Sequence, residues 1–228
     1  TLMGGYGTTE DCPGFLGQKW MDAQLEATYE GPEAVQRRHL TLGVTSPVFR
    51  KECELMVTQL DRIHADHSNM GAAALAKTLE LWLSVLDQIQ EMEDAEGKKL
   101  YHNKRQGVTF PFVDAFCWIL ASRYFILDVE ELSSKGPGNP LLAENLPDYV
   151  EFYQNLCQTQ VLRTAGEVIR TCGELVLGYA SPGSEEIAAF QAKRNTVEST
   201  LAGLRMAKEN AAHALVSVMI PEALDYPA

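Results

Sequence analysis

From Ser46 onward the apolar residues recur at intervals of three and four, and this spacing most narrows what the chain can become. The period-two alternation of a half-buried strand is found in none of its segments. Ser46-Pro47 reads as a helix start, with proline at the first helical position, where its missing N–H costs nothing. The run 47–67 then places Phe49, Cys53, Met56, Leu60 and Ile63 on one stripe. After an interruption at Gly71, a second helix is predicted to about residue 96, with Leu75, Leu79, Trp82, Leu86 and Ile89 on one side and an acidic tail closed by Gly97. A third, over 112–132, is apolar on more than one face and is expected to be central. Gly136-Pro137-Gly138-Asn139-Pro140 is the strongest turn signal in the chain. A fourth helix is predicted over 147–179 and a fifth over 185–219, separated by Ser181-Pro182-Gly183-Ser184, with Ser184 as cap. The fold class is therefore all-α, an up-and-down bundle of four to five long helices. The glycine-rich segment 1–46 differs in texture and reads as loops joining short helices, a first domain ahead of a bundle domain over 47–228.

Composition removes several function classes. The chain has 228 residues, 46% of them apolar, enough for a sizeable core. Its 31 acidic and 19 basic side chains give a net charge of −12, and no cluster of Lys and Arg is present to neutralise phosphates, which argues against nucleic acid as a partner. Five widely spaced cysteines (Cys12, Cys53, Cys117, Cys157, Cys172) read as reduced thiols, mostly in the core, of a protein in the cytoplasm, or the mitochondrial matrix of a eukaryote. The most apolar stretch, 110–127, is broken by Asp114, Ser122 and Arg123 and reads as too short and polar to span a bilayer. Its aromatic residues fit a bundle core better than a membrane-contact surface. Asp61, His64, Asp66 and His67 lie close together, but no second Glu-x-x-His motif accompanies them, so they read as a solvated face and no metal site is assigned. His39, His102 and His213 are isolated.

Residues 1–38 carry the chemical information. They contain Gly4-Gly5-Tyr6-Gly7, then Asp22-Ala23, then Tyr29-Glu30-Gly31, then Gln36-Arg37. In this order and spacing the pieces resemble the C-terminal signature of the acyl-CoA dehydrogenases. The resemblance covers about the first 45 residues. It implies FAD as cofactor, an acyl-CoA as substrate, and Glu30 as the catalytic base that takes the α-proton while a hydride leaves the β-carbon. Free glutamate, with a pKa of about 4.3, is too weak a base in water, and a site dried by substrate raises it toward working pH. The resemblance also places the Glu30 amide on the thioester carbonyl, Tyr29 and Gly31 against substrate, and Gly4 and Gly5 in a turn whose backbone approaches the flavin diphosphate of a neighbouring subunit. Read without its neighbours, Glu30 is a loop carboxylate near the positive end of the next helix, a position Glu33 fills equally well.

Several positions depart from the family pattern. Pro32 stands where a flavin-contacting threonine is usual, Ala34 where Gln or Glu is frequent, and Thr1 where a Gln opens the turn. Met21 and Gln24 replace the basic residues around Asp-Ala, and the 12–18 connection is about two residues longer. The base is kept while flavin-facing side chains are not. The resemblance further implies that this chain is the C-terminal fragment of a larger enzyme, preceded by other helices and a β-domain, with 47–228 as the additional helical domain of the larger members. Expected partners are further copies of the chain, as a dimer or tetramer, and an electron-transfer flavoprotein as electron acceptor. An acyl-CoA oxidase or nitroalkane-oxidase-like flavoenzyme of the same fold fits the same residues, and the chain alone also reads as a non-catalytic helical oligomerisation module.

Overall fold

The computed structural model describes residues 33–140, 142 and 145–218. Seven α-helices fill most of that span: α1 (Glu33–Gly43), α2 (Pro47–Asp66), α3 (Ala72–Glu91), α4 (Gln106–Lys135), α5 (Leu146–Tyr179), α6 (Glu185–Thr200) and α7 (Met206–Val218). Short 3-10 turns, Ser68–Met70 and Gly136–Gly138, follow α2 and α4. Extended pairing among the described residues is limited to one antiparallel bridge between Glu93 and Lys99. The protein is all-α.

The start of α2 follows from its sequence. Ser46 is in extended backbone, its Oγ accepts the Phe49 amide at 3.2 Å, and Pro47 occupies the first turn. The predicted stripe turns inward, with Cys53, Leu60 and Ile63 buried and Phe49 and Met56 packed at the edge of the core. At Gly71 the backbone takes φ 76°, and a Cβ there would stand 3.2 Å from the Val161 side chain of α5. Glycine serves twice at this junction, reversing the chain and letting α5 approach.

The central element is α3, not the predicted 112–132 helix. Leu75, Leu79, Leu81, Trp82, Val85 and Ile89 are fully buried, and α3 packs against α2, α4, α5 and α6. Its sequence explains this, because Ala72, Ala74 and Ala76 let neighbours close in on several sides. By contrast α4 is two-sided. Phe112, Phe116, Ile119 and Ile126 face the core, while Cys117 and Tyr124 are exposed. The 110–127 stretch also lies in a longer element than the sequence reading expects. Gln106–Gly138 is long and apolar enough, by length and composition, to cross a membrane, with its inner side committed to the bundle core. The helix starts before Pro111 because proline in the second turn forfeits one bond, to the carbonyl of Gly107.

Two other predicted ends move. The second helix stops at Glu91, not near 96, and its acidic tail folds back as a turn. Acidic groups at a helix C-terminus meet the negative end of the dipole, and Asp94 offers the backbone an alternative partner. The predicted fifth helix is two, α6 and α7, parted at 201–205 where Gly203 takes φ 82°.

An aromatic cluster joins the first half of the bundle. The Trp82 and Phe112 rings stack 4.5 Å apart, Phe116 lies 4.9 Å from Trp82, and Phe49 meets Phe116 edge-on at 4.9 Å. The indole N–H of Trp82 donates to the Phe112 carbonyl at 2.9 Å. Between α4 and α5 the buried hydroxyls of Ser122 and Thr164 share a 2.7 Å hydrogen bond. At the rim, Arg123 donates to Gln59 at 2.7 Å, Arg62 pairs with Glu130 at 3.1 Å, and Arg50 pairs with Asp87. Exposed pairs of this kind add little stability, so the core carries the fold. Trp82→Ala is expected to cost about 3–5 kcal/mol in urea unfolding. Trp82→Phe, which keeps most of the ring area, should cost clearly less.

Candidate functional site

Glu30, Tyr29, Gly31, Gly4 and Gly5, the residues the sequence assigns to base, substrate and flavin, lie outside the described residues, as does Cys12. The described chain opens on α1, whose first residue is Glu33.

Two side chains of the bundle hold α1. Arg37, from the Gln36-Arg37 piece of the signature, faces Asp114 of α4. Its Nε lies 2.8 Å from Asp114 Oδ1 and 3.0 Å from Oδ2, and its Nη2 reaches Glu33 Oε1 at 2.8 Å. The guanidinium thus ties the first turn of α1 both to itself and to α4. Hydrogen bonding to Asp114 raises the Arg37 pKa further above an already high value, so the group stays cationic. One turn on, the Tyr101 hydroxyl donates to the carbonyl of Thr41 at 2.9 Å, and Thr41 itself is buried. Burial pushes the Tyr101 phenol well above its ordinary range, which keeps it a donor at every working pH. Val44, just past the end of α1, is buried in the core.

Tyr101 is placed by the turn that replaces the predicted helix tail. The Asp94 amide donates to the Lys98 carbonyl at 2.9 Å, and the Leu100 amide to the Met92 carbonyl at 3.0 Å. Asp94 Oδ1 accepts the amides of Glu96 and Lys98 at 3.0 and 2.9 Å, and Oδ2 accepts Arg105 Nη1 at 2.6 Å. Leu100 is fully buried, which pins the turn to the core. The Tyr101 ring meets Phe112 edge-on at 6.2 Å, so hairpin, aromatic cluster and α1 are contiguous. Sequence reasoning missed Asp94, Tyr101, Arg105 and Asp114. The available signal was an Asp three residues before a Gly, an Asx-turn pattern inside what reads as an acidic helix end.

Arg37, Asp114, Cys117, Trp118 and Ala121 line an open depression between α1 and α4. It offers one cation already paired with a carboxylate and no set of free backbone amides, so it does not fit a flavin diphosphate. The other described depressions are open too, one along α5 and α6 beside Gly173 and Phe190, one near Gln88 and Glu186. Of the α2 polar group, Asp61, His64 and Asp66 are exposed, and no cluster of three or more His, Cys, Asp or Glu suited to a metal occurs among the described residues. His39, His102 and His213 are exposed on separate helices or turns. Comparison with protein-family models, with curated proteins and with solved structures finds no match.

Of the four described cysteines, Cys53, Cys157 and Cys172 are buried and Cys117 is exposed, all as free thiols. Burial pushes the Cys53 thiol up to about 11 and Cys157 up to about 12, and raises Cys172 further. Since the thiolate is the nucleophile, these three should resist a maleimide in the native state. In a Cys12→Ser background Cys117 is expected to take the label alone, faster as the pH rises, with mass spectrometry reading the site.

Asp94 gives a pH dependence with a definite sign. Hydrogen bonds from the Lys98 amide, and then from Arg105 and the Glu96 amide, hold its carboxyl below the usual carboxylate range. A depressed folded pKa means stability that is complete above the unfolded value of about 3.9 and lost as the pH falls through the folded one. Asp94→Ala should therefore lower the urea midpoint at about pH 7, with the gap to wild type closing near pH 2. Equal gaps at both pH values would show that the charge of Asp94 does not matter.

Proposed function

We infer that this chain is the C-terminal part of a flavin-dependent acyl-CoA dehydrogenase, with Glu30 as the base for the α-proton. The observation that carries this reading is the ordered signature Gly4-Gly5-Tyr6-Gly7, Asp22-Ala23, Tyr29-Glu30-Gly31 and Gln36-Arg37. The all-helical architecture is compatible with it, as is an anchored helix directly after the base loop. Bound FAD would supply the hydride acceptor. The work of this chain is to present a carboxylate to the α-carbon of the thioester, to keep water from it, and to donate the Glu30 amide to the carbonyl whose charge grows as the proton leaves. Tyr29 and Gly31 flank the base on the substrate side, and Gly4 and Gly5 serve the cofactor of a neighbouring subunit. On this reading the flavin cradle belongs to the complete enzyme, and the 228 residues by themselves are assigned no turnover. The same reading makes an acyl-CoA the substrate, an electron-transfer flavoprotein the electron acceptor and other copies of the chain the structural partners.

In the complete protein, Glu30→Gln should lower acyl-CoA oxidation by about 10²–10⁴-fold while the yellow flavin stays bound. Undiminished turnover in that variant removes the assignment. Hydrogen peroxide formed in air at the rate of substrate consumption would instead identify an oxidase on the same fold.

A further inference from the structure

On a chain this acidic, one helix face is free of acidic residues over a long stretch. Between Ala115 and Leu127 α4 carries a single charge, Arg123, which is engaged inside the chain by Gln59 and by the Tyr124 ring. The outward positions Cys117, Ala121, Tyr124 and Asp128 follow at intervals of four, three and four residues, so they form one seam about 17 Å long. All four are exposed, Tyr124 to 57%, and the half-buried rings of Trp118 and Phe125 flank them. Other exposed large apolar residues, such as Leu42, Leu177 and Leu215, sit singly on separate helices and need no partner. The charges beside the seam are of opposite sign. Arg163 of α5 lies 4.8 Å over the Trp118 ring, and Asp128 faces the same flank, where its charge bears on Cys157 of α5. Neither makes an ion pair among the described residues.

We propose that this face of α4 is the contact between two copies of the chain, their α4 helices paired antiparallel about a two-fold axis at the level of Arg123. Trp118 and Asp128 each lie five residues from Arg123, so the axis sets Asp128 of one copy opposite Trp118 of the other, within reach of the Arg163 guanidinium that covers that ring. Ala121 and Phe125 lie two residues to either side. Phe125 of each copy therefore faces the small Ala121 of the other, at the rim of the depression between α1 and α4. Tyr124, one residue from the axis, meets its own counterpart. Large side chain meets small and cation meets anion, each twice, as an isologous contact requires. This contact rests on the expectation that copies of the chain associate, and on none of residues 1–32. A bilayer fits the same face less well. At a net charge of −12 the chain is repelled by anionic headgroups, and Asp128 would be pressed toward the lipid.

The test uses the complete protein. In a Cys12→Ser, Cys117→Ser background, Tyr124→Cys should form a disulfide with its own counterpart under mild oxidation, read as a doubled mass on a non-reducing gel. Asp128→Cys, about 15 Å from its counterpart along the axis, should not, nor should the background itself. With Cys117 restored, its maleimide labelling should slow as protein concentration rises, because the contact covers it. In sedimentation, Ala121→Glu should raise the dissociation constant about tenfold or more, at an exposed helix position that the fold tolerates. Asp128→Arg should weaken association by a similar factor, and adding Arg163→Asp should bring it back to within about threefold. An assembly that Ala121→Glu leaves intact, with no cross-link at 124, overturns this surface and leaves copies associating by another. A monomeric wild-type protein removes both. Binding of the monomer to phosphatidylcholine vesicles, lost in Ala121→Glu, also overturns the proposal and assigns the face to lipid. None of these outcomes bears on Glu30, whose test is turnover.

Discussion

The indole of Trp82 must be dry on both faces and still give its N–H a partner, and the packing of the bundle is organised around that requirement. Phe112 meets it twice, with its ring stacked on the indole and its carbonyl accepting the N–H. This fixes where α4 crosses α3. Phe116, one turn along α4, lies tilted against the indole, and Phe49 brings α2 against both. A helix with Trp82 at its centre and alanine around its first turns keeps only a narrow polar strip, Lys77, Glu80 and Asp87, for water. The chain therefore surrounds α3 with α2, α4, α5 and α6. The more two-faced α4 takes the outer position, with Arg123 and Asp114 finding partners on α2 and α1.

Much of this was legible in the sequence, and the physical reason is plain. Stripes such as Cys53-Leu60-Ile63 or Leu75-Leu79-Trp82 report burial directly, because a helix turns its i, i+3 and i+4 positions to one side. Ser46 and Gly71 marked boundaries because a side chain, or the lack of one, acts on the backbone within a few residues, whereas Ser184 sits at the start of α6 without the expected side-chain cap and Gly183, at φ 79°, turns the chain there. The misplaced boundaries have local causes of a subtler kind. The break before α7 depends on one positive φ at Gly203 in a run that otherwise favours helix. The early end of α3 depends on Asp94, whose carboxylate outbids the helix for the amides of Glu96 and Lys98. Periodicity does not register such competitions.

The chemical site divides differently. Its candidate residues were readable only as a motif, in order and spacing, and they fall in the part of the chain outside the described residues. The contacts that hold α1 were not readable at all. Arg37 and Asp114 are 77 positions apart, and Tyr101 is 60 from Thr41. No local pattern carries such pairings, which become visible only once α1 is laid against α4. Arg37 in particular reads as the last letter of a signature, yet in the folded chain it is also half of the joint between that signature and the bundle.

That joint ends in a loop. Tyr101 belongs to the turn that Asp94 and Arg105 hold together, and Leu100, with Met92 and the Tyr101 ring beside it, roots the turn in the core. Amide groups in such peripheral elements open to solvent at far smaller free energies than those of a core helix. Because α1 leans on the turn at Thr41, loosening the turn removes a partner from α1, and both are expected to exchange their amides ahead of the fully enclosed α3.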